Sequence, residues 1–456
     1  LRNKSSFGKV VLFIFIIGAI VAGCFVYLSP MFEKNPPKVD FKDNIYWNLK
    51  SKLNLGISDD SGIKFYKVIF KDGNKEIVLD SKVLLEPEKN INLELKSPEL
   101  DMFFKSNDVE IIVEAVDSSK WNFLEGNKVI KTFHLKIDRK KPVASVVANS
   151  FAVRRGGSAL VIVKVEDENL KDSYITFNNE QRFDLIPFYK ENYYAAIIAW
   201  PIKIEKFNIV NLIAIDKADN KSIIKVPLYI RNRKDDKSNI KISDAFIQNV
   251  STKVLEQSGK DVPDNLADVF LKENEVLRNQ NVQKIEEVSK KFMDKDLVSG
   301  FNLIPFKRLE NAATAGRFGQ ERSYYHNSKK IDEAWHLGID WASVKKADIF
   351  TTNKGRVIFN DYLGIYGNVI IIDHGFGLQS LYAHTSSSNV TVGEDVKENQ
   401  KIANTGATGA VLGDHLHFGV LVQGLEVDPL EWMDKNWIKT RITDIISDAK
   451  KVIDSK

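Results

Sequence analysis

Six of the seven histidines fall late in the chain: His326, His336, His374, His384, His415 and His417. Two of them are separated by one residue in the stretch GDHLHFG, residues 413–419. On a helix, residues two apart point about 200° away from each other; on a strand they share a face, with Cα atoms about 7 Å apart. The flank HFGVLV is β-branched and aromatic, which predicts a strand with both imidazoles on one side. Upstream, HLGID sets His336 and Asp340 four residues apart. That spacing can place two ligands on one helical face, as in HExxH. Here Gly338 and Ile339 predict extended chain instead, on which i and i+4 again share a face. His336, Asp340 and His417 then offer two nitrogens and a carboxylate oxygen, a donor set for tetrahedral zinc with its fourth position open to water. His415 is left for proton transfer, and His384, near the end of SLYAHTS, is placed to serve the same site. A single histidine of this kind is usually a satisfied core or surface group. Three separate histidine-bearing segments are not.

These segments stand in nearly continuous text: GRFGQER, HLGIDWA, GRVIFN, YGNVIIIDHGFG, LYAHTS, NTGATG, GDHLHFGV and GLEVDPLEW. Over residues 318–432 the chain resembles the catalytic domain of lysostaphin/LytM-type zinc endopeptidases, which cut peptide crosslinks in bacterial peptidoglycan. The resemblance implies one zinc per chain on His336, Asp340 and His417, and catalytic histidines at His384 and His415. It favours His415 as general base and His384 beside the oxyanion, an assignment that sequence leaves open. It also implies a two-sheet β fold, a site in a groove between loops, and hydrolysis by a zinc-activated water with no covalent intermediate. His374, in DHGFG, reads as structural. The chain departs from the family pattern at Asn399 (usually glycine), Asp414 (commonly proline), Gly419 (often glutamate) and Thr385 (frequently leucine). None of these removes a ligand or a catalytic histidine, and asparagine tolerates the left-handed turn expected at 399. The other functional class is a non-catalytic wall-binding or activator protein of the same fold. Such relatives typically lose the ligand set, which is complete here. Which crosslink is cut is not written in the sequence.

Other elements must export and hold this domain. At 43% hydrophobic and 28% charged residues, the chain has an ordinary globular balance. Its net charge of +4 is too mild to indicate a nucleic-acid partner. One cysteine excludes an intramolecular disulfide. A basic flank over residues 1–9, with Arg2, Lys4 and Lys9, precedes the uncharged run VVLFIFIIGAIVAGCFVYL, residues 10–28. This run spans about 28 Å as helix, close to the ~30 Å hydrocarbon core. It predicts a single-pass anchor in the cytoplasmic membrane, with the bulk of the chain extracytoplasmic, in the periplasm of a diderm. The rival readings are a cleaved signal and a lipoprotein anchored at Cys24 in VAGC. The apolar run continues past Cys24, which favours the anchor.

Alternating Val- and Ile-rich runs between polar turns predict two tandem β-sandwich domains, residues 40–138 and 139–231, which resemble bacterial immunoglobulin-like domains. EIIVEAVDSSKWN is echoed about a hundred residues later by NIVNLIAIDKADN. The carboxylates Asp59, Asp60, Asp167 and Glu168 read as turn formers, with calcium binding as the alternative. The charged text RNRKDDKSN reads as a linker. It leads to a helical connector over 243–293, with Pro263 in a first helical turn, and then to the zinc peptidase domain over 294–432 and a helical tail over 433–456. The helices either carry the last domain away from the sandwiches or cover its site. The expected fold is therefore mainly β, with one transmembrane helix and a C-terminal metallopeptidase domain. Expected partners are peptidoglycan, the membrane through the N-terminal helix, and a cell-envelope protein docking on the sandwiches.

Overall fold

The computed structural model describes residues 6–101, 104–296, 298 and 301–455, so Arg2 and Lys4 of the basic flank lie outside the described residues. Strand predominates. The chain divides into two compact units. The first comprises Leu1–Lys141 with Asn169–Lys171 and Ile215–Lys221; the second comprises Pro142–Glu168, Asp172–Ala214 and Ser222–Lys456.

In the first unit Ser6–Leu28 is a single helix. Its stretch Phe7–Leu28 has a mean hydropathy of 2.8. At about 1.5 Å per residue it is long enough to cross a bilayer, and a signal sequence has the same character. Cys24 is an exposed thiol within this helix. The remainder is one six-stranded sheet built on Leu53–Asp72, which pairs with both Lys75–Leu95 and Asp108–Asp117. Gly73, with φ +56°, takes the first place in the two-residue loop between the first two strands, as a tight hairpin requires. Register shifts near Ser58, Ile63 and Val68 interrupt the hairpin ladder, and bulges bend a long strand around its core. The core of this unit holds Trp47, Ile57, Val68, Phe70 and Ile111.

The sequence echo corresponds to a shared loop device. Asp117 Oδ1 accepts from the backbone N–H of Ser119 and Asn127, and Oδ2 accepts from Asn127 Nδ2. Asp216 Oδ1 likewise accepts from Ala218 and Asn220, and Oδ2 from Asn220 Nδ2. A buried carboxylate thus satisfies the donors of each loop, the reason an Asp and an Asn recur there. Asp59 Oδ1 accepts from Ser61 N–H, as a turn former does.

The second unit begins with two four-stranded sheets, centred on Tyr193–Ala199 with Ser158–Glu166 and on Leu170–Phe177 with Val210–Asp216. The expected linker is partly strand. Asp236–Ile242 pairs in parallel with Gln320–His326, which pairs in turn with Lys329–Trp335. Two helical stretches follow, Asp244 to Gln257 and Leu266 to Lys291. The second starts on Asn265, whose side chain accepts from Ala267 and Asp268, so Pro263 precedes the helix rather than opening it. These helices do not stand apart from the last domain. Ile247, Leu255, Phe270 and Ile285 share one core with Ile358, Val369, Ile371 and Leu381 of the sheet beneath.

That eight-stranded sheet runs in the order Ala313–Gly316, Ile339–Ala342, Leu416–Val422, Leu378–Ala383, Asn368–Asp373, Gly355–Tyr362 and Asp395–Val396, with Leu425–Val427 added on Leu416–Val422. A three-stranded sheet of Asp348–Phe350, Lys401–Asn404 and Ser387–Ser388 accompanies it. Asn399 has φ +62°, the left-handed turn anticipated for it. The tail helix Asp444–Asp454 buries Ile446, Ala449 and Ile453 and packs against Val143–Asn149 and Ser158–Glu166. Buried Trp432 donates from Nε1 to Ser158 Oγ at 3.0 Å, and Arg154 pairs with both Asp428 and Glu431. The second pair of sheets and the C-terminal domain are thereby locked together.

Candidate metal centre and active site

Four adjacent strands bring the site together. Gly316 faces Asp340, Asp340 faces His417, and His417 faces Ala383, one row across the sheet. Neighbouring strands lie about 4.8 Å apart, so side chains on one face of such a row converge. His415 and His417 both line the cavity described below, as their two-residue spacing predicts. His336 is placed differently from the expectation of one extended segment. It sits in the connection between Lys329–Trp335 and Ile339–Ala342, held by its own N–H to Gln320 O and by Gly319 N–H to its carbonyl. The bend aims its ring back at Asp340.

The donor atoms of His336, Asp340 and His417 form the compact group expected of ligands. His336 Nε2 lies 3.0 Å from Asp340 Oδ1 and 3.1 Å from His417 Nδ1, and His417 Nδ1 lies 2.8 Å from Asp340 Oδ1. All three residues are buried. The surrounding hydrogen bonds fix what these atoms offer. His336 Nδ1 lies 2.9 Å from Arg317 O, a group that only accepts, so Nδ1 carries the proton and Nε2 turns a lone pair inward. Arg322 donates to Asp340 Oδ2 at 3.1 Å, which leaves Oδ1 for the centre. Burial pulls His336 down to about 4, so its ring is neutral near pH 7. Burial acts to raise Asp340, but the facing imidazoles of His336 and His417 hold its carboxyl well below the usual range. The inward lone pair of His336 Nε2 and the ionised Asp340 Oδ1, 3.0 Å apart, repel one another without a cation between them. The donor chemistry therefore fits zinc, with an outer hydrogen bond orienting each of two ligands.

His384 and His415 stand beside this group, with ring centroids 4.9 Å apart. His384 follows Leu378–Ala383 with φ +63°, a conformation that costs a non-glycine residue about 1 kcal/mol or more and that clusters at functional sites. Its Nδ1 donates to Thr408 O at 2.8 Å, and burial pushes it down to about 3, so it is a neutral imidazole with Nε2 as acceptor. His415 Nδ1 donates to Gly413 O at 2.8 Å, and its Nε2 lies 3.7 Å from Asp340 Oδ1. His374 lies apart from this group, donating from Nδ1 to Lys354 O and accepting at Nε2 from Ser380. His326 pairs with Asp244.

Two glycines make room for the ligands. A Cβ on Gly338 would stand 2.5 Å from His417 Nε2 and 2.6 Å from Phe418 O. One on Gly316 would stand 2.5 Å from Asp340 Oδ2. Neither contact was visible in the sequence, where Gly338 signalled only extended chain. Arg322 was quoted within GRFGQER, but its role was not read from it. The site opens into a cavity of about 270 Å³. One wall carries the five site residues; the other is made by Ile240, Phe246, Phe270, Glu273, Asn274 and Arg278, from the strand and helices that precede the domain.

Comparison with known proteins agrees with this geometry. Residues 334–429 match the model of Peptidase family M23. The chain is 33% identical over 135 residues to the peptidoglycan DD-endopeptidase ShyB of Vibrio cholerae serotype O1, covering 30% of this chain and 31% of that protein. It is 34% identical over 133 residues to the DD-carboxypeptidase/endopeptidase Mpg of Neisseria meningitidis serogroup B, covering 29% of each. It is 39% identical over 102 residues to the murein hydrolase activator NlpD of Escherichia coli (strain K12), covering 22% of this chain and 27% of that protein. The chain thus spans less than a third of the length of these relatives. Its C-terminal part, over residues 334–429, is a Peptidase family M23 domain.

Proposed function

We propose that the protein is a zinc-dependent endopeptidase that hydrolyses peptide crosslinks of bacterial peptidoglycan, held outside the cytoplasmic membrane by its N-terminal helix. The observation that carries this reading is the convergence of His336 Nε2, Asp340 Oδ1 and His417 Nδ1 within 3.1 Å, with His384 and His415 both present beside them. Zinc bound there would acidify a water and polarise the scissile carbonyl. The chain's own groups do the rest. Arg317 O and Arg322 hold His336 and Asp340 in orientation. His415, its Nδ1 proton fixed on Gly413 O, takes a proton at Nε2 and returns it to the leaving amine nitrogen. His384 presents Nε2 as an acceptor, so it serves an oxyanion only once that nitrogen carries a proton. The apolar wall of Phe246 and Phe270 limits water in the cavity.

The similarity to an activator of murein hydrolases favours a second reading, a protein that holds wall peptides without cutting them. One experiment separates the two. The full chain in detergent, wild type and His417→Ala, is incubated with purified peptidoglycan, and zinc content and released muropeptides are followed. The peptidase reading expects about one zinc per chain and crosslinked dimers falling to monomers in wild type alone. The absence of both zinc and cleavage overturns the peptidase and selects the activator reading, and zinc without cleavage also counts against the peptidase.

A further inference from the structure

Arg278 opens the helix Arg278–Lys291, directly after a π-helical turn at Lys272–Leu277, and it lines the cavity that contains the candidate metal ligands. Wide turns of this kind are inserted into helices where a side chain must be re-aimed, frequently at functional sites.

The guanidinium is pinned along one edge only. Its Nε donates at 3.1 Å to both the carbonyl and the side-chain oxygen of Asn274, and one Nη shares that side-chain oxygen. Asn274 is itself buried and donates to Asp332 Oδ2 at 2.5 Å, so the anchor is fixed in turn. Among the described residues the other Nη makes no hydrogen bond, and no carboxylate lies within ion-pair distance of Arg278. The acid beside it in sequence, Glu273, is 2% exposed, and neither of its oxygens has a hydrogen-bond partner among the described residues. Burial raises Glu273 towards its neutral form, and the nearby Arg278 charge offsets this only in part, which weakens Glu273 as a counter-charge. The cavity therefore presents an oriented cation with one Nη free of hydrogen bonds among the described residues. Planar forks of this kind recognise carboxylates through two parallel hydrogen bonds.

We infer that Arg278 reads a free carboxylate next to the scissile amide, so that the substrate is a crosslink in which the amide nitrogen belongs to an amino-acid centre bearing such a carboxylate, not a polyglycine bridge. This rests on the peptidase reading above and supplies the substrate class that the sequence left open. A glycine bridge has only neutral amides around the cut bond and gives the guanidinium nothing to pair with. A D-amino-acid crosslink places one carboxylate two bonds from the amide nitrogen.

The test uses the full zinc-loaded chain and two peptides, identical except that the carboxylate beside the scissile amide is free in one and amidated in the other, with pentaglycine as a third substrate. Cleavage is read as kcat/KM. Binding is read separately by fluorescence anisotropy on the His415→Ala protein, so that recognition is seen without turnover. The expected result is a preference for the free carboxylate of about tenfold or more in wild type. In Arg278→Gln the ratio between the two peptides collapses towards one, and in Arg278→Lys it is partly kept. Equal handling of the two peptides by wild type, a preference for pentaglycine, or a preference that survives Arg278→Gln each overturns the inference. If nothing is cut but binding still discriminates through Arg278, the carboxylate site stands and the peptidase reading falls.

Discussion

Gly338→Ala is the sharpest test of how the candidate centre is held together. The added Cβ would lie 2.5 Å from His417 Nε2 and 2.6 Å from Phe418 O, whereas unstrained non-bonded contacts settle near 3.5 Å. Something must therefore retreat by about 1 Å. Asp340 and His417 are register partners on adjacent strands, so the adjustment falls either on the imidazole or on the pairing of Ile339–Ala342 with Leu416–Val422. Overpacking of this size costs roughly 1–3 kcal/mol. If the imidazole gives way, that cost appears as a loss of zinc affinity of about 5- to 150-fold, because the ring must be forced back to bind. If the strands give way, it appears as a fall in unfolding free energy of the same size. Chelator competition measures the first and denaturant unfolding of the zinc-free chain the second, with circular dichroism to confirm that the sheet persists. A variant with wild-type zinc affinity and wild-type stability would refute the steric argument, and with it the claim that the glycine is there for close approach.

Arg322→Ala removes the donor to Asp340 Oδ2 and is expected to weaken zinc binding by about 10- to 100-fold while leaving the three ligands in place; unchanged affinity by the same competition assay would count against it. Burial lowers the folded-state pKa of His374 to about 4, below its ordinary 6.5. The unfolded chain therefore takes up this proton first, so the stabilisation is complete above pH 6.5 and is lost as pH falls towards 4. A fall of order 3 kcal/mol across that window should show in denaturant unfolding of the zinc-free chain, and His374→Gln should flatten this part of the profile. A chain beginning near residue 294 loses Ile247, Val254, Leu255, Val269, Phe270, Leu277 and Ile285 from the shared core. At about 1.5 kcal/mol or more each, that loss rivals a domain's whole net stability of roughly 5–15 kcal/mol. It should aggregate or be proteolysed rather than cleave faster; a folded, faster fragment would show that the helices are a removable cover.

The grouping of the candidate ligands His336, Asp340 and His417 was legible because it follows from local rules. The two-residue and four-residue spacings, the β-branched flank and the terminal position of His384 each needed only a few neighbouring letters. The left-handed turn at Asn399 was legible for the same reason. The strand in the charged segment was not, because its partner, Gln320–His326, lies 84 residues further on, as the pairing of Asp236 with Gln320 shows. The strand's alternation is confined to Ile240, Lys241 and Ile242, too short a pattern to stand out in an exposed, charged segment. Pro263 was placed inside a helix because proline suits a first turn, but Asn265 caps better and wins the start. His336 was expected on an extended segment because glycine and isoleucine favour one. Its backbone is held instead by hydrogen bonds with Gln320 and Gly319, residues outside its own motif.

The wall opposite the candidate ligands explains why site and substrate differ in how far they can be read from sequence. Two of the three candidate ligands, Asp340 and His417, are register partners on adjacent strands of one sheet, and strand spacing records that. Choosing among peptides needs groups on the facing side of the cavity, and here these come from helices that precede the domain in sequence. Those helices show only the three-to-four-residue periodicity of a buried face, because Phe270, Leu277 and Ile285 are spent on the shared core. The polar residues between them, Glu273, Asn274 and Arg278, look like an ordinary solvated face until the fold turns them towards the candidate ligands. Their function depends on a contact between elements that no local pattern encodes. A lid must leave without unfolding what it covers, and residues that complete a core cannot, which is why a chain beginning near residue 294 is expected to unfold rather than to cleave faster.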